Sequence, residues 1–126
     1  MPIYDSTNFD PPAPLALVTV RSPASRESVA NVALLIDSGA DVSLLPRAPI
    51  AHLIEPEMGG EQFELEGFDG SLSLVPAVRL ELHFLGRVFR GQFLIIDQRT
   101  GILGRNILNA IPLLLDGPNL TWGVHP

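Results

Sequence analysis

The chain has 126 residues, 46% of them apolar, which fits one folded domain and excludes both a disordered chain and two independent lobes of ordinary size. Fourteen acids against eight bases give a net charge of −6, and every base is arginine. No basic patch is therefore expected to track a nucleic-acid backbone or an anionic membrane, the absence of cysteine excludes disulfides and thiolate chemistry, and no apolar run nears the roughly 18 residues of a membrane span.

Residues 1–14 are polar and proline-rich, with Pro11, Pro12 and Pro14 close together. They read as an N-terminal extended arm or a loose tail ahead of a domain over 15–126. The start of the chain has neither the basic end nor the apolar segment of a signal peptide, so a cytoplasmic location is expected. Residues 15–20 form a β-branched run and a first strand. Pro23 breaks the chain, and 29–36 form a second strand, nearly all apolar at its end, as a strand covered on both faces would be. Residues 42–45 continue briefly until Pro46, and 50–54 are ambiguous.

Residues 62–66 and 71–75 flank Gly67-Phe68-Asp69-Gly70, the pattern of a hairpin with a glycine-rich tip. Val78, Leu80, Leu82 and Phe84 then alternate with Arg79, Glu81 and His83, a half-buried strand of period two. Gly86-Arg87 turns the chain into a strand over 88–96, which Thr100-Gly101 ends. A helix of about one and a half turns is expected over 105–110, then short strands at 113–115 and 120–122. The fold class is all-β: a sandwich or small barrel of seven to nine short strands with one short helix near the C-terminus.

The stretch Ala33-Leu34-Leu35-Ile36-Asp37-Ser38-Gly39-Ala40-Asp41 poses a physical question. A carboxylate carried into an apolar region is costly unless it is paired or hydrogen-bonded. Taken alone, Asp37-Ser38-Gly39 is an ordinary turn after a strand. Ile102-Leu103-Gly104-Arg105-Asn106-Ile107-Leu108 taken alone is a strand end, a glycine turn and a helix start. The Gly67–Gly70 tip taken alone is a surface hairpin.

The three segments in this order resemble the retroviral-type (retropepsin-like) aspartic proteases, over roughly residues 15–122. Leu17-Val18-Thr19-Val20 and Asn119-Leu120-Thr121-Trp122 are similar to that family's early and terminal strands. A chain that begins at Met1 with no fused polyprotein fits a cellular or bacterial relative. The resemblance implies a small closed barrel of the acid-protease type and an aspartic endopeptidase. In such an enzyme two carboxylates share one proton and activate a water, and no cofactor or metal is needed. Only one Asp-Ser-Gly is present, so the second carboxylate would come from the Asp37 of a second copy in a two-fold homodimer.

By the same resemblance, Asp37, Ser38 and Gly39 are the catalytic segment. Ser38 would brace the two active-site loops, and Gly39 would let the substrate backbone approach. Ala40, Asp41, Gly67, Phe68, Asp69 and Gly70 are expected to contact a peptide or protein substrate. Phe68 is either a pocket lid or a hairpin anchor. Asp69 departs from the neutral tips of the family and reads most simply as a turn residue. Gly104 and Arg105 are structural supports, with Arg105 expected to pair with Asp41 inside one subunit. His52, His83 and His125 and the acidic stretch Glu55, Glu57, Glu61, Glu64 and Glu66 look like solvated surface, and no metal-ligand spacing is present. The rival readings are a non-catalytic dimerisation or peptide-binding module on the same fold, and an unrelated barrel in which Asp37 only starts a turn.

Overall fold

The computed structural model describes residues 2–54, 61–66 and 69–126. Strand β1 (Tyr4–Asp5) runs beside the start of β2 (Ala13–Arg21), with Tyr4 opposite Pro14 and Asp5 opposite Ala13. The first residues are also tied to the far end of the chain, since the Tyr4 amide donates to the Leu120 carbonyl at 2.9 Å. Along β2, Ala16, Val18 and Val20 are buried while Leu17 faces solvent, the alternation of a strand with one face on a core. β2 turns at Ser22 into β3 (Ser28–Ile36), its antiparallel partner, with a register shift between Val18 and Val20.

β3 was expected to be covered on both faces. Instead it alternates: Val32, Leu34 and Ile36 are buried, whereas Ala33 and Leu35 are half-buried on the outer side. β4 (Leu44–Pro46) ends at its proline, which also precedes a single-turn helix, α1 (Arg47–Ile50). A 3-10 turn at Ala51–Leu53 follows, so the ambiguous 50–54 stretch is helical rather than extended for most of its length. Ile50 and Leu53 are fully buried and fasten it to the core.

Among the described residues, β5 (Glu61–Glu66) pairs only with β6 (Leu72–Phe84), which pairs in turn with β7 (Arg87–Ile96). Two strands were expected over 71–84, divided at Pro76, but the structure runs one strand of 13 residues straight through it. The reason is local. The pairing of β6 with β7 begins at Ala77, so among the described residues one edge of β6 is unpartnered at Pro76 and the missing N–H costs no ladder bond there. β8 (Gly101–Leu103) leads into α2 (Arg105–Leu108), and β9 (Leu113–Asp116) and β10 (Thr121–Val124) form a terminal hairpin.

The main sheet has the order β1-β2-β3-β8-β4-β7-β6-β5, and β2 also pairs with β6. That last pairing, with Thr19 opposite His83 and Arg21 opposite Glu81, closes six strands into a ring. The expected closed, all-β barrel with little helix is therefore what forms. Its interior is filled by aliphatic side chains such as Val18, Leu34, Leu45, Leu80, Leu82 and Leu103, each at most 1% exposed. Trp122 anchors the terminal hairpin to this core. Its ring lies 5.9 Å from that of Phe84, and its indole N–H donates to the Leu15 carbonyl at 3.1 Å.

Candidate active site

β3 and β8 are parallel neighbours, with Leu34, Leu35 and Ile36 opposite Gly101, Ile102 and Leu103. Parallel strands exit at the same end of a sheet. The two sequence segments that follow them, Asp37-Ser38-Gly39 and Gly104-Arg105-Asn106, therefore emerge side by side although they lie more than sixty residues apart. β4 returns past β8 with Leu44 opposite Ile102, so the loop from Asp37 to Ser43 folds over the start of α2.

Backbone bonds cross-link the two segments. The Asp37 amide donates to the Leu103 carbonyl at 3.1 Å, and the Arg105 amide donates to the Ala40 carbonyl at 2.8 Å. Within the loop, the Gly39 amide donates to Asp37 Oδ1 at 2.9 Å, and the Ala40 amide donates to the Asp37 carbonyl at 3.2 Å. The half-buried Asp37 carboxylate is thus oriented by its own turn, which answers the question its position raised. It sits at the end of an apolar strand but accepts a hydrogen bond there. A Cβ on Gly39 would stand 3.1 Å from that same carboxylate oxygen, tight enough to disturb it.

Gly104 fits for a steric reason. A Cβ there would collide with the Val42 carbonyl oxygen and come within 3.0 Å of the Ala40 carbonyl oxygen, because the two backbones touch. Arg105 does not make the expected ion pair with Asp41. Its guanidinium Nη1 donates instead to the Ser38 carbonyl oxygen at 2.7 Å, a polar backbone group that the turn presents toward α2. Asp41 is exposed and, among the described residues, forms no ion pair.

Asp37, Gly39, Ala40 and Asp41 line one wall of a cleft of about 380 Å³, and Leu65, Glu66, Ser71 and Ser73 of the β5–β6 hairpin line the opposite wall. Of the expected hairpin-tip contacts, Gly67 and Phe68 lie outside the described residues. Asp69 and Gly70 are exposed, and neither lines this cleft. Asp69 Oδ1 accepts the Ser71 amide at 2.9 Å, and hydrogen bonds from the side chain and backbone of Ser71 hold its carboxyl below the usual aspartate value. Gly70 takes φ 83°, the left-handed turn conformation. A larger hollow of about 600 Å³, bordered by Ile3, Tyr4, Leu15, Leu17, Leu85 and Trp122, contains none of the sequence-predicted site residues. Among the described residues no group of three or more His, Asp or Glu side chains is placed to hold a metal.

Two features escaped the sequence reading. Ser43 is buried, at 2% exposure, and its hydroxyl links the Asp37 loop to α2. The available signal was a lone hydroxyl residue inside the apolar run Val42-Ser43-Leu44-Leu45. Glu66, read as part of a solvated acidic stretch, lines the cleft because the hairpin carries it over Asp37.

A closed strand ring with an Asp turn beside a Gly-Arg-Asn turn defines a retropepsin-like fold. No protein-family model matches the chain, and no curated protein does. Among solved structures, the chain is similar to one described as EIAV protease complexed with the inhibitor HBY-793. The two are 24% identical with a TM-score of 0.56, over 78% of this chain and 86% of that one. At this identity the likeness establishes the fold.

Proposed function

We propose that the protein is an aspartic endopeptidase that acts as a homodimer, with one Asp37 from each protomer forming a two-carboxylate dyad. The observation that carries this reading is the placement of Asp37. It lies in a cleft, beside Gly104-Arg105, at the end of a parallel strand pair in a retropepsin-like fold. The fold neighbour's description as an inhibitor-bound protease supports the same reading.

The chemistry follows from two carboxyl groups sharing one proton, since like charges this close cannot both ionise. The ionised group takes a proton from a water, and that water attacks the scissile carbonyl carbon. The protonated group donates its proton to the carbonyl oxygen, giving a neutral tetrahedral diol. The diol then collapses: a hydroxyl proton returns to one carboxylate, the C–N bond breaks, and the amine leaves with a proton from the other. A substrate would lie extended in the cleft, its backbone bonded to the hairpin above and its alternate side chains in pockets. Ser38, exposed at the loop tip, is available to brace the partner's loop.

A second copy also has surface to cover. Leu114, Leu115 and Val124 on the β9–β10 hairpin are each about half exposed or more, at 55%, 49% and 51%. The dimer requirement is tested by measuring peptide cleavage per chain on serial dilution. Specific activity should fall as dimers dissociate. A constant rate per chain, with sedimentation showing monomers, would refute the shared dyad.

A further inference from the structure

Among the described residues only two polar side chains are fully buried within the fold, Ser22 and Ser43. Ser22 sits in the β2–β3 turn and closes it locally, accepting the Ser25 amide at 3.3 Å. Ser43 makes no local bond. Its hydroxyl donates to Asn106 Oδ1 at 2.8 Å and accepts the Gly104 amide at 2.9 Å, partners 63 and 61 residues away.

This uses the hydroxyl as donor and acceptor at once, which neither alanine nor valine can reproduce. The two bonds fix the far end of the Asp37 loop to the start of α2. The near end is fixed by the Asp37–Leu103 bond, and the middle by the two bonds from Arg105, to Ala40 and Ser38. The loop is therefore pinned at three places along seven residues, and Ser43 supplies the only side-chain hydroxyl among those pins.

We infer that Ser43, through Asn106 and the Gly104 amide, is a positioning residue for the Asp37 carboxylate. Without the strut, the start of α2 can shift, and with it the Arg105 bonds to Ser38 and Ala40 on either side of Gly39. The Gly39 amide then moves relative to Asp37 Oδ1, and the carboxylate loses the donor that orients it. The inference rests on Asp37 being the reacting carboxylate. Misplacing a reacting group by about 1 Å can cost on the order of 100-fold in rate.

The test compares wild type with Ser43→Ala, Ser43→Thr and Asn106→Ala. Asn106 is exposed, so its truncation keeps the test alive if Ser43→Ala fails to fold. The Gly39 amide, which donates to Asp37 Oδ1, is followed by NMR, and kcat and KM are measured on a cleaved peptide. Asp41 and Glu66 line the same cleft, and Arg105 backs the loop; all three charges are unchanged in these variants, so a shift reports on the loop.

Ser43→Ala and Asn106→Ala should move the Gly39 amide resonance, because its bond to Asp37 Oδ1 is weakened. They should lower kcat by roughly 10- to 100-fold with KM nearly constant. Ser43→Thr should restore both. If the alanine variants melt earlier but keep the wild-type Gly39 amide resonance, or if threonine rescues nothing, the positioning role is refuted and Ser43 is only structural. If wild type cleaves no peptide yet the Gly39 amide resonance still moves in the alanine variants and threonine restores it, the strut stands and the peptidase reading falls.

Discussion

Two regions face each other across the cleft, and they are held in opposite ways. The Asp37 loop is stitched to β8 and α2 by backbone bonds, by the Arg105 guanidinium and by a buried hydroxyl, and its glycine at 104 leaves no room for a methyl group. The β5–β6 hairpin opposite it is an edge. Among the described residues β5 has β6 as its sole strand neighbour, and Leu72 and Leu74 are 63% and 66% exposed. Regions with few buried apolar contacts open at low free-energy cost, whereas cross-linked core segments open only with the whole fold. On the proposed peptidase reading, the floor would hold a carboxylate in place and the cover would move to admit a chain.

The sharpest way to break this contrast is on the floor. Gly104→Ala forces a methyl group against the Val42 carbonyl, with backbone on both sides and no flexible side chain to yield. We expect a loss of about 3 kcal/mol or more in chemical denaturation. A variant as stable as wild type would show that the two backbones are not packed as described. Arg105→Ala removes the bond to the Ser38 carbonyl but spares the backbone bond to Ala40. A smaller cost of about 1–2 kcal/mol is expected, with activity falling further than stability. Equal activity in a folded Arg105→Ala protein would count against the loop being set from α2.

A third probe lies where β6 joins the ring. Glu81 meets Arg21 at 3.2 Å, Arg90 at 3.3 Å and His83 at 3.5 Å. Burial pushes its carboxyl up, but the hydrogen bonds from Arg21 and Arg90, the charge of Arg90 and the contact with His83 together hold it below the usual glutamate value. A carboxyl lowered in the folded state contributes stability that is full above its unfolded value, and that contribution is lost as pH falls through the folded one. Stability measured against pH should therefore drop on the acid side, below about pH 4.5. Glu81→Gln should flatten that part of the curve while lowering stability near neutrality. An unchanged acid limb in the variant would remove Glu81 from the account.

The smallest effect on stability is expected at the cover. Replacing Leu72 and Leu74 together by serine should change unfolding free energy by about 0.5 kcal/mol or less, since both are already exposed. If the hairpin closes on substrate, the same pair of changes should raise KM. Altered stability with unaltered KM would reverse the roles assigned to floor and cover.

Sequence alone revealed the floor's parts but not all of its wiring. The strand into Asp37, the glycine turn before Arg105 and the alternation along β6 all follow from local patterns of period and turn residue. The partner of Arg105 did not. The family resemblance paired Arg105 with Asp41, yet the guanidinium took a backbone carbonyl, a choice set by how the turn orients Ser38 rather than by residue type. The continuity of β6 through Pro76 was hidden for a related reason. Whether a proline breaks a strand depends on which edge is paired, and pairing is a tertiary fact. Ser43 was visible only as a polar residue in an apolar run, and its two distant partners exist only once β3 and β8 lie side by side.

The most direct test is cleavage of a diverse peptide library between about pH 4 and about pH 7, with wild type beside Asp37→Asn, both first shown to be folded and dimeric. Cleavage by wild type should be strongest toward acid pH and absent in the variant. No cleavage by either protein would transfer the fold to a binding role, and equal cleavage by both would contradict the assignment of Asp37 at its centre.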